Sequence, residues 1–303
     1  MGYDAIVRID LHLHSTASDG TFTPLQLIRR AEQLGLGAIA ITDHDAIEGC
    51  REAFRHAPLP RLKLLSGVEI STEPPALLPH KGSLHILGYG FRLEDAALNT
   101  ALSTLQEARK NRNPEILSRL KKIGIHLSME EVRLETGDGQ LGRPHIARLM
   151  VAKGIVATID EAFDRYLGKG KPGYVDKYRI PCADAIRIIR DAGGIAVLAH
   201  PGLLKTEPAG NEMEILIDQL TAWGLEGLEV YYPAHSPMHT DTFIALAERH
   251  GLLLTGGSDF HGALQDDIDM GTGDGTLNVP FELYEKLMNA IASIRRTRPN
   301  GGV

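Results

Sequence analysis

The chain has 303 residues, 43% of them hydrophobic and 23% charged, with a formal charge of -7 and two cysteines. That length can bury a full core, as one large α/β domain or two ordinary ones. Three classes are excluded. No uninterrupted apolar run is long enough for a bilayer span, Cys50 and Cys182 are too far apart for a disulfide framework, and an acidic chain offers no basic face for sequence-blind binding of long DNA or RNA.

The first strand is expected over 6–11. The apolar stretch 5–13 that contains it is broken by Arg8, Asp10 and His12 and has no basic leader or cleavage site. It therefore reads as a strand and not as a signal peptide, and cytoplasm is the expected compartment. A helix follows over 23–36, with Thr23 as cap and Pro24 in the first turn. Further strand-like runs lie at 38–42, 64–70, 84–89, 195–198, 227–231 and 252–255, with helical patterns over 237–250 and 280–294. Short apolar runs alternating with helices predict an α/β fold with mostly parallel strands closed into a barrel. Between 96 and 180 the strand pattern lapses. Helical stretches at 98–123, 144–153 and 159–166, then the glycine- and lysine-rich 167–174, predict a mostly helical insertion between barrel parts 1–95 and 181–303. Only 299–303 should fray.

Chemistry concentrates at strand ends. In Asp10-Leu11-His12-Leu13-His14, residues two apart in an extended chain point to the same side, so His12 and His14 can face one ion. Alone, such a pair fits a core or a surface equally well. Four more segments extend it: Ser18-Asp19-Gly20, Thr42-Asp43-His44-Asp45, Gly67-Val68-Glu69, and Gly257-Ser258-Asp259-Phe260-His261. Each puts a histidine or carboxylate where a barrel gathers its functional loops. His200, before Pro201, joins them, and so does His85, although His85 stands near the start of its strand; either that strand runs the other way or the ligand comes from the strand body.

These segments, in order over roughly 5–95 and 183–265, resemble the PHP (polymerase and histidinol phosphatase) family of phosphoesterases. The resemblance implies a distorted seven-stranded barrel with two or three divalent ions, Mn, Fe or Zn, at its mouth. It places His12, His14, Glu69 and Asp259 on one ion, Glu69, His85 and His200 on a second, and Asp19, His44 and His261 on a third. Such ions outweigh the charge of Asp19, Glu69 and Asp259, so an acidic protein still attracts phosphate locally, and a water bridging two ions becomes a hydroxide nucleophile near neutral pH. Asp43 and Asp45 could orient a ligand histidine or move a proton, and Asp45 could equally cap a helix over 47–54.

Within the insertion, Arg143 precedes Pro144 at a helix start, where a guanidinium can clamp phosphate or simply face solvent. Arg143 and His145 resemble the substrate clamp of a PHP subgroup acting on nucleoside 3',5'-bisphosphates or trimming short RNA from the 5' end. Lys169 and Lys171 could add charge there or sit on an exposed loop. A small phosphorylated nucleotide or short RNA is thus the expected substrate, with no membrane or long-DNA partner. The alternatives are a histidinol-phosphate phosphatase, a C-N hydrolase of the amidohydrolase type, which would want a bridging lysine where Glu69 stands, and a noncatalytic metal-binding module. The glycine-rich 168–173 and 271–275 read as turns. His56, His80, His126, His235, His239 and His250 read as surface residues, and Tyr231, Tyr232 and Trp223 as core or rim.

Overall fold

A computed structural model describes residues 7–75, 84–134, 142–204, 211–263 and 267–297. Ile6, His80 and the tail at 299–303 lie outside the described residues. In chain order the elements are β1 (Ile9–Leu13), α1 (Pro24–Gln33), β2 (Ala38–Ile41), α2 (Glu48–Phe54), β3 (Lys63–Glu73), β4 (Leu84–Tyr89), α3 (Ala96–Lys122), α4 (Met129–Leu134), α5 (Arg143–Ala152) and α6 (Ile159–Ala162). A π-helical turn (Phe163–Leu167), β5 (Ile180–Pro181), α7 (Cys182–Asp191), β6 (Ile195–Leu198), a short 3-10 turn (Pro201–Leu203), α8 (Glu212–Ala222), β7 (Gly227–Tyr231), α9 (Pro237–His250), β8 (Leu253–Gly256) and α10 (Phe281–Thr297) complete them. They form two compact units, Met1–Leu102 with Arg179–Val303, and Ser103–Tyr178.

In the first unit the sheet runs β1-β2-β3-β4-β6-β7-β8, with the two-residue β5 added beside β3. All neighbours are parallel except β4, which is antiparallel to β3 and β6. A strand running against its neighbours begins where they end. His85, the second residue of β4, therefore joins the same rim as the C-terminal ends of the parallel strands. The sheet curls into a nearly closed barrel. Leu13 bridges Phe260 just past β8, the His14 N–H donates to the Phe260 carbonyl at 3.0 Å, and the Asp259 N–H donates to the His12 carbonyl at 2.9 Å. Gly257 permits that approach, since a Cβ there would lie 2.3 Å from the His12 nitrogen.

A register shift between Asp10 and Leu13 re-aims β1 halfway along. Below it Ile9 and Leu11 pack in the barrel interior with Leu87, Tyr89 and Val197; beyond it Leu13 packs outside with Leu27, Ile28 and Ile39. Past the bulge, strand alternation turns His12 and His14 to the mouth. At the base, Leu283, Leu287 and Ile291 of α10 close the interior. Each such side chain contributes about 1.5–3 kcal/mol by leaving water. α1 starts as its sequence dictates, with Thr23 Oγ1 accepting from the Gln26 N–H and Gln26 Oε1 accepting from the Thr23 N–H.

The second unit has its own core, in which Ile116, Leu117 and Leu120 of α3 meet Val132, Ile146, Met150 and Leu167. The helix expected over 159–166 is split: α6 stops at Ala162 and the chain continues as the π-helical turn. Among the described residues, no helix is long and apolar enough to cross a membrane.

Candidate metal centre

The rim collects histidines from β1, β4 and the loops after β2, β6 and β8 around Glu69, which is fully buried in β3. Glu69 Oε1 lies 2.7 Å from His85 Nδ1 and 2.9 Å from His200 Nε2. Its Oε2 lies 2.7 Å from His44 Nδ1, 3.3 Å from His14 Nε2 and 3.4 Å from His12 Nε2. Asp259 Oδ1 approaches His14 Nε2 at 3.0 Å and His12 Nε2 at 3.3 Å. Asp19 stands 3.5 Å from His261 Nε2 and 3.7 Å from both His14 Nδ1 and His44 Nε2.

Three sets of these side chains are close enough to share an ion: His12, His14, Glu69 and Asp259; His44, Glu69 and His85; and His14, Asp19, His44 and His261. The buried atoms His12 Nε2, His14 Nε2, His44 Nδ1, Glu69 Oε2, Asp19 Oδ1 and Asp259 Oδ1 have no hydrogen-bond partner. An unsatisfied buried polar atom costs about 1–3 kcal/mol, so this many in one place marks a donor set shaped for cations. Mixed imidazole and carboxylate donors suit Mn, Fe or Zn better than Mg.

The electrostatics agree. Burial opposes the charge on Glu69 and Asp259, yet the surrounding imidazoles hold both carboxyls well below their usual range, and they hold Asp19 low as well. Burial likewise opposes charge on His14, but the negative charge of the adjacent Asp259 and Glu69 carboxylates pushes it up to about 10. His85 falls to about 4, because burial there outweighs Glu69. Without a cation, protons on imidazoles balance the carboxylates; a bound divalent ion displaces them.

Around this ring lies a layer of buried carboxylates. Asp10 accepts from the Ser258 N–H and Oγ and from the Gly271 N–H at 2.6–2.9 Å, tying β1 to the 257–259 loop. Burial raises its carboxyl to about 6. Asp43 accepts from the Ser15 N–H, Ser15 Oγ and Ser18 Oγ, each at 2.7 Å. Asp45 accepts from the Ser71 N–H at 2.7 Å and from Ser71 Oγ at 3.0 Å. The expected cap by Asp45 is not formed: α2 begins at Glu48 with Ile47 in the cap position, and the Asp45 carboxylate is turned to β3. Among the described residues, the positive-φ non-glycine residues are Asp45, His200 and Asp259, with φ of 54°, 28° and 55°. All three belong to this rim, where strain is tolerated because the surroundings over-determine it.

Glu229 and Tyr232 also reach the ring, and neither is among the expected site residues. Glu229 of β7 accepts from His12 Nδ1 at 2.9 Å and from the His200 N–H at 2.7 Å. Tyr232 donates to Asp259 Oδ2 at 3.0 Å. A charged residue in the otherwise apolar run 227–231 was the available signal for Glu229. His235, expected at the surface, is buried: its Nδ1 bonds the Val230 carbonyl at 2.8 Å and its Nε2 accepts from the Gly202 N–H at 3.1 Å.

In the second unit the Arg143 guanidinium lies 5.3 Å from the Tyr174 ring centroid and 5.8 Å from that of Phe163, and it donates to the Leu167 carbonyl at 3.1 Å. His145 Nδ1 accepts from the Gly142 N–H at 3.0 Å. Lys169 and Lys171 are exposed. The segments 168–173 and 271–275 form turns, closed by bonds such as Lys171 N–H to the Gly168 carbonyl and Leu277 N–H to the Thr272 carbonyl.

Comparison with known proteins places this geometry. The PHP domain profile matches residues 10–167. A 3',5'-nucleoside bisphosphate phosphatase of Chromobacterium violaceum is 35% identical over 267 residues, covering 88% of this chain and 91% of its own. A 5'-3' exoribonuclease of Haemophilus influenzae is 35% identical over 254 residues, covering 84% and 90%. A solved structure from Bifidobacterium adolescentis, described as a metal-dependent phosphoesterase, superposes with a TM-score of 0.72 at 28% identity over 94% of this chain and 96% of that one. Matched across its length and carrying a buried histidine and carboxylate cluster at the barrel rim, the chain belongs to the PHP domain family and is a metal-dependent phosphoric ester hydrolase.

Proposed function

We propose that the chain hydrolyses phosphate esters of nucleoside 3',5'-bisphosphates and of short 5'-phosphorylated RNA. The observation that carries this is the ring of unpartnered ligand atoms about Glu69. The bisphosphate phosphatase and exoribonuclease relatives, each about a third identical over most of the chain, supply the substrate class.

His12, His14, Glu69 and Asp259 would hold one divalent ion, Glu69, His85 and His200 a second, and Asp19, His44 and His261 a third; Mn, Fe and Zn all fit. Such ions supply positive charge to the phosphoryl oxygens and acidity to the attacking water. The protein's own contribution is to fix the donors in place. Asp43 and Asp45 do this by holding the Ser15–Ser18 turn and the end of β3, so proton transfer is not assigned to either.

Arg143 and His145 bind the 5'-phosphate. The nearby Tyr174 and Phe163 rings and the bond to the Leu167 carbonyl restrain the guanidinium, whose fork can make two parallel bonds to phosphate. Because His145 Nδ1 accepts from the Gly142 N–H, the neutral ring carries its proton on Nε2 and offers a donor. Lys169 and Lys171, both exposed, add positive charge. Glu69 stands where a C-N hydrolase of the amidohydrolase type would have a bridging lysine, which favours phosphate over amide chemistry.

The test compares adenosine 3',5'-bisphosphate with a simple chromogenic phosphate ester. Arg143→Ala should raise KM for the bisphosphate about 10- to 100-fold, equivalent to one or two bonds to a charged group, and leave the chromogenic ester within about twofold. Equal losses on both would remove the clamp, and activity on amides alone would remove the proposal.

A further inference from the structure

We infer that Glu229 is a positioning residue whose one carboxylate fixes ligands of two different ion positions. The inference rests on the metal-centre reading above. Glu229 is fully buried between Leu228 and Val230, themselves fully buried. A carboxylate in the body of an apolar strand costs several kcal/mol unless it is fully hydrogen-bonded. Packing alone gives no reason for one there.

Its two oxygens serve two elements. Oε1 meets His12 Nδ1 at 2.9 Å. A carboxylate only accepts, so Nδ1 must carry the proton, and the neutral ring then presents a bare lone pair at Nε2. That atom faces Asp259 Oδ1 and Glu69 Oε2 at 3.3 and 3.4 Å and has no hydrogen-bond partner. Oε2 accepts from the His200 N–H at 2.7 Å. His200 has a φ of 28°, a backbone geometry that needs such an anchor, and its Nε2 is thereby held 2.9 Å from Glu69 Oε1. Glu229 thus couples a donor from β1 to a donor from the loop after β6.

Only a carboxylate offers both acceptors. In Glu229→Gln the single amide oxygen can serve one partner. If it keeps the His200 N–H, the amide NH2 meets His12 Nδ1 and drives the ring proton onto the ligating Nε2. If it keeps His12, two donors face each other at His200.

Glu229→Gln and wild type, both stripped with chelator, are titrated with Zn and with Mn, reading stoichiometry by elemental analysis and affinity by competition with a chromophoric chelator. The expected result is metal affinity about 10- to 100-fold weaker, with the metal-free melting temperature within a few degrees of metal-free wild type. Wild-type affinity and stoichiometry in the variant overturn the inference, and so does a variant that loses only melting temperature. A second measurement needs no variant: nitrogen-15 spectra of histidine-labelled, Zn-loaded wild type should show His12 with its proton on Nδ1, and a proton on Nε2 overturns the inference. Wild type that takes up no ion at all sinks the metal centre itself, a result distinct from an unaffected Glu229→Gln.

Discussion

The base and the rim of the barrel are built from the same strands, a few residues apart, on opposite rules. At the base Ile9, Leu11, Leu87, Tyr89 and Val197 pack against Leu283, Leu287 and Ile291, and the buried Tyr89 hydroxyl is satisfied, donating to the Leu11 carbonyl at 2.8 Å. At the rim, ligand atoms stand without partners and residues take positive φ. The base supplies stability that the rim consumes, which is how a rigid but unsatisfied cluster persists in a folded chain.

Substitutions at the two ends should therefore separate function from stability. The largest effect is expected for Glu69→Gln, which removes charge from the hub shared by five imidazoles. Activity should fall by more than the roughly 10- to 100-fold typical of an outer partner, while the melting temperature in chelator moves by only a few degrees. Leu287→Ala at the base should do the reverse, losing about 2–5 kcal/mol in denaturant unfolding with metal affinity and kcat kept wherever the protein is folded. If Leu287→Ala weakened metal binding in the folded protein, the two ends would not be separable. The smallest effect is expected for Tyr232→Phe, which deletes one bond to Asp259. About 0.5–1.5 kcal/mol, or a few-fold in metal affinity by competition titration, should be lost without a change in melting in chelator.

Much of this was legible from the sequence where a single physical signal dominates. The apolar runs 84–89, 195–198 and 227–231 coincide with β4, β6 and β7, since strands buried on both faces read as continuous apolar segments. Thr23-Pro24 marks the start of α1 because cap and first-turn preferences are local. What stayed hidden depends on pairing. The register shift in β1 and the two-residue β5 are properties of neighbouring strands, and the direction of β4, left open between two readings by the place of His85, is settled only by its antiparallel pairing with β3 and β6. β3 runs on to Glu73, past the expected 70, because β4 and β5 pair with its end. In the site, histidines and carboxylates stand in short clusters along the sequence; eight of the nine expected side chains fall into three groups close enough to share an ion, and the ninth, His200, adjoins them at Glu69. Glu229 stands alone in its segment and Tyr232 reads as core or rim; both gain meaning only from His12, His200 and Asp259 across the barrel.

The most direct test of the central claim is where metal binds. Crystals of the protein loaded with Mn, measured for anomalous scattering, should show peaks among His12, His14, Glu69 and Asp259 and their neighbours, with Glu69 touching more than one ion. Catalytically active, fully loaded protein with no peak beside Glu69 would contradict the account.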